Sequence, residues 1–195
     1  MKKIIIAVTG ASGSIYFLRL MECLTAHDLE LHVIASEQGR KVLEYETGVN
    51  LQTQAELWGQ KKAKTILEDN SNLFSPVASG SYHCDAMVIV PCSMSTTAEI
   101  ANGVTKTLLT RAADVMIKER RKLVLVPREA PLSAIHLKNM YELSKLGVII
   151  LPAMPEFYSH PQTVDDMVNF VVGKVLDCLE IENDCYKRWD GKHEN

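Results

Sequence analysis

Two turns rich in glycine and hydroxyls stand out by residue type. The first, Thr9-Gly10-Ala11-Ser12-Gly13-Ser14, follows the apolar run Ile4–Val8 directly. Two glycines let a backbone approach an anion closely. The Ser12 and Ser14 hydroxyls can donate to it, and a helix N-terminus behind them adds amides and a favourable dipole. Phosphate binding suits this composition; a tight turn with a serine cap is the plainer alternative. Both the G-x-G-x-x-G spacing and the P-loop lysine are missing, so neither a dinucleotide fingerprint nor an NTPase is supported. The second turn, Pro91-Cys92-Ser93-Met94-Ser95-Thr96-Thr97, crowds four hydroxyls at a helix start. Cys92 has no nearby His motif to activate it and reads as a buried structural thiol.

Other positions of the same kind follow further apolar runs. Ser36 follows Leu31–Ala35 and reads as a helix cap before it reads as a ligand contact. Glu46, on the helix after it, has the composition of a solvated side chain. Val126-Pro127-Arg128-Glu129-Ala130-Pro131 holds one Arg and one Glu in a proline-stiffened loop, where a guanidinium suits an anion or a carbonyl. Pro152 to Pro161 adds Phe157 and Tyr158 in a stiff, apolar-walled loop fitted to an unsaturated ligand. Lys174 sits at the edge of the stripe Val164, Val168, Val171, Val175 and Leu179, where a lysine ordinarily snorkels. The basic run Lys118-Glu119-Arg120-Arg121-Lys122, preceded by Arg111, matches a helix C-terminus on dipole grounds.

These residues share a position in the chain pattern: each lies just past a short apolar segment. Ile4–Val8, Leu31–Ala35, Met87–Val90, Leu123–Val126 and Val148–Leu151 read as strands buried on both faces, the last three ended by prolines. Helical patterns cover Ser14–Thr25, Gln38–Glu46, Thr97–Asn102, Lys106–Lys118, Ser133–Leu146 and Thr163–Leu179. The alternation predicts an α/β fold, an open, doubly wound, mostly parallel sheet between helices, with ligands beyond the carboxyl ends of the strands. Leu51–Tyr82 is the least regular stretch and reads as loop. The whole chain, 1–195, reads as one domain whose polar tail begins near residue 180 and carries Tyr186 and Trp189.

Composition narrows the class. The 195 residues are 47% apolar and 23% charged, with net charge −3. Disordered, fibrous and nucleic-acid- or membrane-surface-binding chains fit these values poorly. Five cysteines without a C-x-x-C predict reduced thiols, and six histidines without H-x-x-H or H-E-x-x-H give no metal signature. No run approaches the roughly 20 apolar residues of a membrane span. A cytoplasmic protein is the expectation.

Several colinear blocks make the chain similar to a known family. They are Thr9–Gly13, Pro91–Met94, Leu109–Val115, Lys118–Arg121, Leu123–Leu132, Ile135–Met140 and Phe157–Gln162. Together they resemble the flavin prenyltransferases of the UbiX type, from Lys3 to Trp189. The resemblance implies a flavodoxin-like Rossmann fold and dodecamers built from trimers. It implies reduced FMN as substrate, a dimethylallyl phosphate donor and no metal. The prenyl group joins flavin N5 and then C6, closing a fourth ring. The prenylated FMN then serves a UbiD-type decarboxylase, as in ubiquinone synthesis or aromatic-acid decarboxylation. FMN contacts carried over by motif are Gly10, Ala11, Ser12, Ser36, Ser93, Met94, Ser95, Thr96 and Arg128. Tyr158 and Lys174 would bind the prenyl phosphate, with Arg111, Lys118 and Glu129 around the same pocket. Ser12 and Glu46 match positions tied to proton handling. Ser14, Phe17 and Ser95 depart from the family pattern.

These readings lead to two placements. FMN phosphate is expected on Gly10–Gly13 and the helix that follows. Arg111, Lys118, Tyr158 and Lys174 are expected to converge on the donor phosphate. One rival of the same fold is an FMN-dependent cysteine-type decarboxylase. It needs an early catalytic His after a strand and an Asn-bearing loop, where this chain has His27, His32 and Pro152-Ala153-Met154-Pro155. Another is a non-catalytic FMN-binding accessory subunit.

Overall fold

The computed structural model describes residues 1–189 and 191. In chain order the elements are β1 (Lys2–Val8), α1 (Ser14–Thr25), β2 (Leu29–Ala35), α2 (Glu37–Thr47), α3 (Leu51–Trp58), β3 (Lys64–Glu68), β4 (Ala86–Cys92), α4 (Met94–Ala101), α5 (Leu108–Lys118), β5 (Lys122–Pro127), α6 (Ala134–Lys145), β6 (Ile149–Ile150) and α7 (Val164–Cys178). The strands form one sheet in the order β3-β2-β1-β4-β5-β6, and every pairing is parallel.

Burial on both faces follows from the continuous apolar runs. Ile4, Ile6 and Val8 point into a core with Phe17 and Leu20 of α1, Leu43 of α2, Trp58 of α3 and Val168, Val171 and Val175 of α7. Ile5 and Ala7 point the other way, towards Ile100 of α4, Leu109 and Ala113 of α5 and Leu143 of α6. Thus α1, α2, α3 and α7 cover one face, and α4, α5 and α6 the other. The chain winds outward from β1 to β3, then returns to place β4 on the opposite side of β1. That reversal opens a crevice beyond the carboxyl ends of β1 and β4.

The stretch expected to be irregular contains α3 and β3. Asn50 caps α3 by accepting from the Gln52 and Thr53 amides, and Leu51 and Trp58 are buried. β3 is an edge strand bounded by Lys64 and Glu68, so it lacks the apolar run that marks the inner strands. Prolines do not end the strands as expected. β4 continues through Pro91, after a cis Val90–Pro91 bond, to Cys92, and β5 includes Pro127. β6 is only two residues long. α4 starts at Met94, three residues early, because Ser93 caps it.

Phe17 fits its position: it is fully buried and meets Trp58 edge-on at 5.8 Å between centroids. The tail docks on its own chain. Tyr186 lies against Gly173 of α7, where no Cβ would fit, and Lys2 Nζ donates to the Leu179 carbonyl at 2.7 Å. Residues 190 and 192–195 of the predicted tail lie outside the described residues.

Candidate functional site

Four loops meet at the crevice and are tied together by short bonds. The Thr9 hydroxyl donates to the Pro91 carbonyl at 2.8 Å and accepts the Ser93 amide at 2.8 Å, which fastens the β1–α1 loop to the β4–α4 loop. The Ser36 amide donates to the Val8 carbonyl. Arg128 Nε reaches across to the Ser12 carbonyl at 3.1 Å. Gly10 packs against the first turn of α2: a Cβ there would lie 2.7 Å from Gln38 Cβ. Gly13 has φ +112°, a conformation that favours glycine, and a Cβ there would sit 3.0 Å from the Tyr16 ring. Gly10, Ser12, Ser36, Ser93 and Arg128 are therefore drawn together beyond the strand ends, and Ala11, Met94 and Thr96 lie buried on the same turns. Ser95 stands exposed on the first turn of α4. Local capping explains part of this: Ser36 Oγ accepts the Gly39 amide, and Ser93 Oγ the Thr96 amide.

Glu46 sits in the anion seat expected for a phosphate. Its carboxylate accepts the Gly13 amide at 3.0 Å and the Ser14 amide at 2.8 Å, so the first turn of α1 already holds a charge. Burial alone would raise its pKa. Hydrogen bonds from Ser12 and from the Ser14 and Gly13 amides outweigh that and hold it below the usual glutamate range. A second anion on those two amides would meet a neighbouring carboxylate. Gly13 and Ser14, at the end of the turn on which the phosphate is expected, thus give their amides to Glu46. Ser14 Oγ is buried without a hydrogen-bond partner among the described residues.

The four residues expected to converge do not meet within one chain. Arg111 is half-buried on α5, where Nε donates to the Ala78 carbonyl at 3.1 Å and Nη1 pairs with Asp114 at 2.9 Å. Lys118 closes α5 and pairs with Glu119. Tyr158 and Lys174 belong to the opposite face of the sheet, where α7 packs. Tyr158 meets Trp189 edge-on at 5.5 Å, and Lys174 Nζ stands 6.0 Å from the centre of the Tyr186 ring. Glu129 is exposed and accepts the amide of its neighbour Ala130. The separation is topological, since α5 and α7 cover different faces.

Three features carried no local sequence signal. Thr9 is buried and joins the two hydroxyl-rich turns. Asp177 and Arg188 form a bidentate pair between α7 and the tail. His32 lies inside β2, with Nδ1 at 2.7 Å from Glu68 and Nε2 at 3.2 Å from Glu30. The crevice donors are hydroxyls, amides and one guanidinium, a set matched to a phosphorylated ligand rich in hydrogen-bond acceptors. No group of three or more His, Cys, Asp or Glu placed to hold a metal occurs among the described residues.

Comparisons with known proteins agree with this geometry. A family profile described as Flavoprotein matches residues 1–176. A flavin prenyltransferase UbiX of Methanocaldococcus jannaschii is 47% identical over 188 residues, 96% of this chain and 98% of that protein. The crystal structure of AnUbiX (PadA1) in complex with FMN and dimethylallyl pyrophosphate is 36% identical. It superposes with a TM-score of 0.92 over 98% of this chain and 99% of that one. A dodecameric FMN-dependent UbiX-like decarboxylase from Escherichia coli O157:H7 is 42% identical, with a TM-score of 0.91 over 97% of this chain and 100% of that one. Identity of this extent over nearly the whole of both chains places the chain in the flavin prenyltransferase family of flavoproteins.

Proposed function

We propose that this chain transfers a dimethylallyl group from dimethylallyl phosphate to N5 and then C6 of reduced FMN. The observation that carries the reading is the crevice itself. Gly10, Ser12, Ser36, Ser93 and Arg128 are drawn together there, in a chain alike throughout to a protein solved with FMN and dimethylallyl pyrophosphate. Gly10 to Ser12, Ser36, Ser93, Thr96 and Arg128 hold the flavin and its phosphate. Tyr158 and Lys174 face the donor phosphate.

The chain's own residues fit the steps. The allylic C–O bond breaks and its electron pair leaves with the phosphate, so cations and hydroxyl donors at that oxygen lower the barrier. Lys174 and Tyr158 supply them from one chain. Arg111, Lys118 and Glu129 join them only where a second copy brings its α5 face to this site, which fits the dodecamer described for the Escherichia coli relative. Tyr158 and Trp189 give the electron-deficient prenyl fragment π-rich, water-poor walls. Alkylation of N5 releases its proton; ring closure then needs a proton on the prenyl double bond, so that C6 attacks the resulting cation, and ends with loss of the C6 proton. Glu46, held ionised beside Ser12, and the departed phosphate are the groups that can carry these protons. The product suits a UbiD-type decarboxylase as its recipient.

The cysteine-decarboxylase reading is disfavoured by His32. It is buried in β2 with both ring nitrogens engaged and cannot serve as a histidine at the crevice. The test is anaerobic incubation with reduced FMN and dimethylallyl phosphate, followed by flavin mass and absorbance. A flavin gaining one five-carbon unit is expected, and a parallel arm with the diphosphate identifies the donor. Unchanged flavin in both arms overturns the proposal in favour of an accessory FMN-binding role.

A further inference from the structure

On α7, Lys174 and Asp177 have the i,i+3 spacing of an ordinary ion pair. They do not make a close one: Nζ stands 4.0 Å from Oδ2. Asp177 is occupied from the tail instead. Arg188 grips both its oxygens, at 2.7 and 3.0 Å, the Tyr186 hydroxyl donates at 2.6 Å and Asn183 Nδ2 at 3.0 Å. The Arg188 bonds, ahead of burial and the other donors, hold the Asp177 carboxyl well below the usual aspartate range. Four donors around one carboxylate leave little of its charge to attract Lys174.

We infer that Arg188 is a positioning residue for the donor phosphate: it neutralises Asp177 and so leaves Lys174 available to the phosphate. The inference rests on the reading above that Lys174 binds that phosphate. The geometry favours it over a plain anchor for the tail. Tyr186 is already seated against Gly173 and edge-on to Phe170 at 5.2 Å, so the tail has a hold of its own. A guanidinium fork saturates a carboxylate in a way that one lysine cannot. The same tail segment sets Trp189 against Tyr158, so both phosphate-facing side chains depend on it. Without Arg188, the Asp177 carboxylate, 4.0 Å from Lys174 Nζ, regains the charge to draw it and competes with the substrate for it.

The experiment measures prenylation of reduced FMN at varied dimethylallyl phosphate for Arg188→Gln, Asp177→Asn, the double variant and Lys174→Ala, with bound FMN recorded for each. Arg188→Gln is expected to raise the donor KM about tenfold, the size of one weakened charged contact. FMN content and kcat should stay near wild type. The double variant should return to the donor KM of Asp177→Asn alone, because no carboxylate remains to draw Lys174 away. A tail anchor would give the opposite result, with the double variant as impaired as Arg188→Gln or more so, and that outcome overturns the inference. So does a wild-type donor KM in Arg188→Gln while Lys174→Ala is impaired. A wild-type donor KM in Lys174→Ala would instead remove the phosphate role of Lys174, and this inference with it.

Discussion

Gly10 and Glu46 show how single residues set the crevice. At Gly10 the constraint is space, since α2 passes so close that a Cβ would lie 2.7 Å from Gln38 Cβ. Gly10→Val must push the first turn of α2, and Ser36 with it, away from the β1 loop. The folded variant is expected to lose its copurified flavin, measured by absorbance after gel filtration. Full flavin content would place the phosphate away from this turn. At Glu46 the constraint is charge. Its ionised form is stabilised by the helix amides, and its pKa is lowered, so the benefit is complete above the ordinary glutamate range and fades as pH falls through the folded value. Glu46→Gln should cost about 0.5 kcal/mol at pH 7 in urea titrations. The gap should close at acid pH, and prenylation should slow while FMN is retained. The glycine- and serine-dense turns were legible from residue types alone. The Glu46 contact was not, because Gly13 and Glu46 are 33 positions apart and no local pattern joins them.

Elements were legible in proportion to their apolar content. The inner strands and the longer helices were plain, whereas α3 and β3 were hidden, β3 because its attachment to the sheet is polar. Glu30 and His32 of β2 and Glu68 of β3 are buried, and they bond to one another, to Lys64 and to Tyr82 and Ser75 from the connection that follows β3. Such a cluster gives no periodic signal, yet it pins the sheet edge and the return to β4. Hydrogen bonds from Tyr82 and Lys64 hold the Glu30 carboxyl down at about 2, against the opposing effect of burial. Its stabilising contribution is therefore full above the ordinary glutamate range and is lost as pH falls towards about 2. Glu30→Gln leaves buried partners unmatched and should cost about 3 kcal/mol at pH 7. Stability curves of the two proteins, measured by denaturant melts across pH, should converge in acid. A constant gap down to pH 2 would mean that the side chain acts by packing instead of charge.

At the scale of the molecule, the apolar surface left uncovered matters more than the tail. The polar tail that carries Tyr186 and Trp189 is not left over for a neighbour, because Tyr186 is seated on its own α7. The uncovered surface is on α6, where only Leu143 is buried, and on the loop beyond β6. Ile135, Leu137, Tyr141 and Leu146 are exposed on or beside α6, and Met154 and Phe157 on the loop. Exposed apolar groups this dense mark a contact surface. The placement of Arg111 and Lys118 on one face of the sheet and Tyr158 and Lys174 on the other gives that surface a chemical use. On the proposed reading, a neighbouring copy completes the phosphate pocket. Ile135 is 70% exposed, so Ile135→Asp should leave the monomer fold and its circular dichroism unchanged. Burying an aspartate where an isoleucine packs against a second copy removes about 1.5–3 kcal/mol of apolar burial and adds a desolvated charge at every symmetric repeat. Light scattering at micromolar concentration should show a shift from a large assembly towards the chain mass of 21.8 kDa. FMN binding should survive in part and prenylation should fall much further, because the proposed reading draws the FMN contacts from one chain and the donor pocket from two. An unchanged assembly would move the interface off α6. A dispersed protein with full prenylation would show that Tyr158 and Lys174 suffice without a neighbour.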